Sequence, residues 1–300
     1  RIKAIIKYGR LEMGGTSMKE IKLIVTDLDG TFLSHSETDG SLEKNICAME
    51  AAREAGIPVF PCTGRSWLQS AAQVKRFGFD NLCVVNNGAS IVEIDSGELR
   101  YRNRISPDLV EPLLAIGEKY QGNDIITQSS CQEFIGFLAS DETKKQQILE
   151  RYGPQMQGDE NIRIFTSVEE MYLASRGSAE MVRYIVEPKN VPSSMIKELD
   201  AIPSVEIAWS WTIHLDVMAE GANKGSVLPI LADMYNVELE NVMALGDQDN
   251  DAPMLSMAGF GVAMGGASQR CKQVADYIAP AVEDAGFAQT IERFVLGKNR

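Results

Sequence analysis

The chain has 300 residues, 44% of them hydrophobic, enough for one large or two moderate domains that need neither disulfides nor a structural metal to fold. Its 42 acidic against 29 basic side chains give a formal charge of −13 with no long basic stripe, a surface that repels a phosphate backbone and argues against nucleic acid as a partner. The apolar runs are too short and interrupted to cross a bilayer, and five scattered cysteines (Cys47, Cys62, Cys83, Cys131, Cys271) without a C-x-x-C pair favour reduced thiols and a cytoplasmic location.

Residues 1–17 are basic, lack a long apolar core and are set apart as a leader or appended extension, with Met18 as the natural start. Residues 21–26 form a short apolar run that stops at carboxylates and Gly30, the pattern of a buried strand entering a polar loop. Residues 42–55 have helical spacing and close at Gly56 before the apolar segment 57–64. A second helical stretch, 66–77, precedes the apolar residues 82–85. These alternations are βαβα units, which imply a largely parallel sheet with helices on its faces. From Gly88 to about Met218 the texture changes to hairpin-like stretches, with Asp95-Ser96-Gly97 as one turn, mixed with helices near 107–120 and 141–152. After Gly225 the alternation returns, with helical segments at 226–235 and 251–257, short strands at 241–246 and 260–264, and a helical tail over 284–296. The fold class expected is α/β: a Rossmann-like parallel-sheet core from residues 18–88 and 219–300, with an α+β cap domain inserted at 89–218.

The carboxylates fall at strand ends. Asp27 and Asp29 directly follow the first buried strand, at the sheet edge where open α/β folds bind ligands, and Gly30 lets the chain turn without a Cβ clash. Gly246-Asp247-Gln248-Asp249-Asn250-Asp251 is a second acidic group after an apolar strand, and a helical turn there places Asp247 and Asp251 on one face. So many acids close together call for a cation. Oxygen-only ligands favour Mg²⁺ over zinc, and His35 and His214 lie too far apart for a recognised zinc spacing. Thr63-Gly64-Arg65 follows the second strand and offers a hydroxyl and backbone N–H groups to phosphate oxygens, while Lys224, just before Gly225, supplies a point charge. Together these are the parts of a phosphoryl-transfer site.

In this ordered set the chain resembles the haloacid dehalogenase-like superfamily, in particular its Cof-type phosphatases with the larger α+β (type IIB) cap. Asp27–Thr31 (DLDGT) looks like the first family motif, Thr63 the second, Lys224 in EGANKGSVL the third, and Asp247, Asn250 and Asp251 in GDQDND the fourth. The resemblance covers essentially residues 18–296. It implies Asp27 as nucleophile and Asp29 as general acid and base, with the Asp29 carbonyl also on the metal. It further implies Asp247 on Mg²⁺, Asp251 holding the ion through water, and Asn250 orienting the loop and Lys224. Asn86-Asn87-Gly88-Ala89 resembles the junction into the cap, where Asn87 is implied to touch phosphate alongside Gly30, Gly64 and Asn250. The function implied is Mg²⁺-dependent hydrolysis of phosphomonoesters of small metabolites, sugar phosphates above all, through an aspartyl-phosphate. Phosphomutase action through the same intermediate, and a non-catalytic phosphometabolite-binding protein, are the alternatives. Arg65 reads as a substrate contact or a structural ion pair, and Asp216 as a substrate hydroxyl contact or else a polar hinge or partner for Lys224. Trp209 and Trp211 fit either one face of a sugar-sized pocket or strand packing, and His214 reads as a cap-strand residue rather than a base. No self-complementary patch fixes an oligomeric state.

Overall fold

The computed structural model describes residues 20–34, 40–156 and 160–297; the leader, Met18 and His35 lie outside them. The strands are β1 (Leu23–Thr26), β2 (Val59–Pro61), β3 (Leu82–Val85), β4 (Ser90–Glu93), β5 (Leu99–Arg102), β6 (Ile126–Cys131), β7 (Ile135–Leu138), β8 (Ile162–Phe165), β9 (Ala179–Ile185), β10 (Val205–Ser210), β11 (His214–Ala219), β12 (Val242–Gly246), β13 (Phe260–Ala263) and β14 (Tyr277–Ile278).

A parallel sheet runs in the order β14-β13-β12-β1-β2. Its central strands are buried along their whole length, which is why β1 reads LIVT and β12 VMALG rather than alternating with polar residues. Helices Ser41–Glu54 and Gly286–Phe294 pack against one another beside this sheet. Helix Trp67–Phe77 opens on a capping box, in which the Ser66 side chain accepts from Gln69 N–H and Gln69 returns a bond to Ser66 N–H. The cap therefore belongs to Ser66, and Thr63 is left outside the helix.

The second sheet, β10-β11-β9-β6-β7-β8, is antiparallel except for the β7–β8 pair. Its apolar side forms a separate core with helix Pro107–Tyr120, built on Leu113, Val182, Tyr184, Leu215 and Val217. This is the Rossmann-like core with an inserted α+β unit. The hairpin β4–β5, however, pairs with β3, and Ile91, Val92 and Ile94 pack in the same cluster as Leu23, Val25 and Leu245. On packing grounds we propose that the inserted unit starts beyond Arg102, later than residue 89. Among the described residues no helix is long and apolar enough to cross a membrane.

Candidate active site

Three neighbouring parallel strands release side chains at one edge of the sheet. In register, Thr26 lies opposite Leu245 on β12 and Pro61 on β2, so Asp27, Asp247 and Thr63 emerge together. The loop after β1 is tight: Gly30 has φ +86°, and a Cβ there would lie 2.5 Å from Asp247 Oδ2. Glycine thus meets both a left-handed backbone and a close approach. Thr31 Oγ1 donates to Asp247 Oδ1 at 2.9 Å, tying the two loops together. Gly30→Ala is expected to push these loops apart and weaken divalent-ion binding at least about tenfold, read by calorimetry.

Lys224 sits in a turn folded by Asn223, whose side-chain oxygen accepts from the N–H groups of Gly225 and Ser226 at 3.0 Å each. Only 1% exposed, it donates to Asp27 Oδ1 and Asp251 Oδ1, both at 2.5 Å. Burial pushes the Asp27 carboxyl well above the usual carboxylate range, and Asp251 adds to it. Burial and then Asp251 push Asp247 up to about 6. Burial alone would depress Lys224, yet Asp251 and Asp27 hold it well above the usual lysine range.

Ligand oxygens of Asp27, Asp247 and Asp251 lie within 4.8 Å of one another. Three buried carboxylates against one ammonium leave two formal negative charges, and the donors are all oxygen, so the cluster suits a hard divalent cation. Asp251 is already engaged at both oxygens, Oδ1 by Lys224 and Oδ2 by the N–H groups of Asp247 and Gln248 at 2.9 Å each. It is better placed to hold an ion through water than directly. Asp27 Oδ2 and the Asp29 carbonyl accept no hydrogen bond from the described residues.

Thr63 Oγ1 accepts from Arg65 N–H at 3.1 Å, which leaves its own proton for a ligand. Arg65 forms an ion pair with Asp29: Nε donates to Oδ2 at 2.8 Å, Nη2 to Oδ1, and Gln73 takes Nη1. The Asp29 side chain, 37% exposed, is therefore held towards solvent by a bidentate cation.

Asp216 is fully buried, and its partner is Arg183 rather than Lys224. Arg183 Nε reaches Oδ1 at 2.6 Å and Nη2 reaches Oδ2 at 2.8 Å, while Ser210 Oγ and Asn87 Nδ2 also donate to this carboxylate. Arg183 Nη2 donates as well to the Gly64 carbonyl at 2.8 Å. Asn87 Oδ1 in turn accepts from Asn250 Nδ2 at 2.8 Å, so Asn250 reaches Asn87 and not Lys224. Asn87 and Asp216 are thereby bound into a link between the second sheet and the catalytic loops, off the cavity wall. Trp209 packs into the core of the second sheet, and Trp211 turns to the cavity.

That cavity, about 660 Å³, opens over Asp27, Asp29, Thr63 and Arg65 and extends beneath β7 and β11. His214 borders it. Burial, then Arg183, hold the imidazole down to about 3, with Arg151 adding and Asp216 and Asp29 opposing. A ring held neutral contributes stability that is present above its unfolded value of 6.5 and lost as pH falls towards 3. At about pH 5 the loss is about 2 kcal/mol. His214→Gln is expected to remove it, so the wild-type minus variant difference in unfolding free energy from urea titrations should change by that amount between neutral pH and about pH 5. An unchanged difference would remove His214 from the acid response.

Arg183 and Thr31 escaped the reading of the sequence as site residues. The signal for Arg183 is its basic side chain in the seven-residue run AEMVRYI, where it and Glu180 are the two charges and every position is buried. Thr31 stands inside the quoted DLDGT motif without an assigned task.

The family model for haloacid dehalogenase-like hydrolases matches residues 24–291. The 5-amino-6-(5-phospho-D-ribitylamino)uracil phosphatase YcsE of Bacillus subtilis is 27% identical over 279 residues, 92% of this chain and 97% of its own. The phosphoglycolate phosphatase of Methanobrevibacter smithii is 26% identical over 279 residues, 92% of this chain and 99% of its own. Among solved structures, the subclass IIB sugar phosphatase BT4131 shares the fold with a TM-score of 0.74 at 24% identity, covering 91% of this chain and 98% of that one.

Proposed function

The chain belongs to the haloacid dehalogenase-like hydrolase family and is one of its phosphatases, with a IIB-type cap, and from that footing we propose that it hydrolyses phosphomonoesters of small metabolites, sugar phosphates among them, with Asp27 as nucleophile and Mg²⁺ as cofactor. The observation that carries this is Lys224 Nζ held between Asp27 and Asp251 at 2.5 Å each, with Asp27 itself lining the cavity.

Asp27 and Asp247, with the Asp29 carbonyl, would hold Mg²⁺ directly and Asp251 through water. Bound there, the ion supplies positive charge to the carboxylate cluster and to the phosphoryl oxygens. Lys224 favours the ionised form of Asp27 against burial and Asp251, and adds a cation beside the phosphoryl group; Thr63 donates its hydroxyl proton to one of its oxygens. Asp27 then attacks phosphorus in line, the bond to the leaving oxygen breaks, and Asp29 passes a proton to that oxygen. Water opens the aspartyl-phosphate with Asp29 accepting its proton. Since Arg65 occupies both oxygens of Asp29, substrate entry must draw Arg65 away before Asp29 can reach the leaving oxygen.

Mg²⁺-dependent phosphate release across sugar phosphates, nucleotides and phosphorylated cofactors tests the reading, and no release from any of them by folded protein would overturn it. Asp29→Asn separates its role from that of Asp27. Release of the leaving alcohol in a single turnover, before water opens the aspartyl-phosphate, should slow about 10²- to 10⁴-fold with alkyl phosphates and much less with p-nitrophenyl phosphate, whose leaving group needs little protonation. Equal losses on both substrates would take the acid role from Asp29.

A further inference from the structure

Resting on the phosphatase reading, we propose that the cap wall of the cavity is a subsite for a flat heteroaromatic ring bearing carbonyl oxygens, so that the preferred leaving group is a ring-carrying alcohol rather than a bare polyol or short acid.

The catalytic residues occupy one end of a single cavity of about 660 Å³, a volume that suits a drug-sized ligand and leaves most of the space unfilled by a two- or three-carbon alcohol. The far end is lined by rings. Phe137 and Tyr152 stack with centroids 4.9 Å apart, and Trp211 meets His214 edge-on at 5.5 Å. Ile135 and Ile162 complete an apolar wall that offers hydroxyl groups little but gives a π-face and its edges good contact.

Trp211 is the most informative of these. It is 49% exposed although it is a large hydrophobic residue, and it holds φ +66°, a backbone conformation that bulky side chains rarely adopt. The turn between β10 and β11 thus keeps an exposed indole over the mouth of the site at a conformational cost, the association of strain with function expected of a ligand contact.

Arg183 supplies the polar element. It is 3% exposed, its charge is met by Asp216, and Nε and Nη2 are occupied, while Nη1 has no hydrogen-bond partner among the described residues and the side chain borders the cavity. A neutralised guanidinium with one open edge recognises a neutral acceptor, such as a ring carbonyl, better than a second anion.

Equilibrium binding by calorimetry to the full chain carrying Asp27→Asn, with Mg²⁺, tests the subsite on two matched pairs: riboflavin 5′-phosphate against ribitol 5-phosphate, and uridine 5′-monophosphate against ribose 5-phosphate. In at least one pair the ring-bearing member should bind at least about tenfold more tightly. Adding Trp211→Asn, which tolerates the left-handed backbone, should remove most of that gap and shift the ringless member less than about threefold. Arg183→Lys, which keeps a cation beside Asp216, should likewise weaken the ring-bearing member more. Equal binding within both pairs, or losses shared equally by both members, overturns the subsite. Phosphate release by wild type is read separately: release without ring preference sinks this inference alone, and ring preference without release sinks the hydrolase reading alone.

Discussion

Asp27→Asn should reduce turnover of every phosphomonoester by about 10⁴-fold or more while leaving the protein folded, because an amide cannot form the acyl-phosphate on which both half-reactions depend. Stability should move the other way. Burial and Asp251 disfavour the ionised form of Asp27 in spite of Lys224, so a neutral isostere relieves repulsion among the three acids. In EDTA the variant is expected to melt above wild type, and the rise in Tm on adding Mg²⁺ should shrink, since one negative ligand has gone. Melting curves with and without Mg²⁺, beside a phosphate-release assay, check both halves. Substantial residual turnover would mean that another group attacks phosphorus. A melt below wild type in EDTA would mean that the Lys224 contact outweighs the repulsion.

Lys224→Met removes the one cation that, among the described residues, is placed among the three carboxylates, while roughly keeping the volume of the side chain. Wild type holds this ammonium at 1% exposure, bonded to two acids, and breaking such a buried arrangement from one side costs about 3–5 kcal/mol. The cost depends on pH with a definite sign. A carboxyl whose native pKa is raised above its unfolded value contributes stability that is fully present below the unfolded value and lost as pH rises through the native one. Asp247 is already up to about 6 and Asp27 is also raised, and losing Lys224 lifts both further. The gap in urea midpoint between wild type and variant, measured in EDTA, should therefore be widest at mildly alkaline pH and narrow on acidification. Activity should fall by about 10³-fold or more at all pH values, since the cation beside the phosphoryl oxygens is gone. A gap independent of pH would show that packing, and not charge, is what Lys224 supplies.

Asp27, Thr63 and Asp247 were readable because each follows an uninterrupted apolar run, and in a parallel sheet the end of such a run marks the edge where ligands bind. Lys224 precedes no strand end and was picked out chiefly by its place in the motif order. Pairings across the chain were not readable. Nothing local says that Asp216 faces Arg183, because that depends on the register of β11 against β9, thirty-three positions apart. Hairpin β4–β5 alternates like the strands of the second sheet, and only its pairing with β3 assigns it to the first core. Trp209 and Trp211 share a face by simple alternation. They part because β10 ends at Ser210 and the backbone reverses at Trp211.

The pairing of β1 with β12 also bears on how the molecule is made. Asp27 leaves the ribosome early, whereas Thr31's partner Asp247 and the buried lysine follow about two hundred residues later, with the whole inserted unit in between. A nascent chain halted at Gly221 can complete all the strands of the second sheet but has neither β12 beside the first strand nor the countercharge for Asp27. The first strand must wait unpaired on that side during most of translation, a non-local closure that sets the pace of folding. Competence for chemistry then arrives in one late step, when the last quarter of the chain slots in beside the first strand.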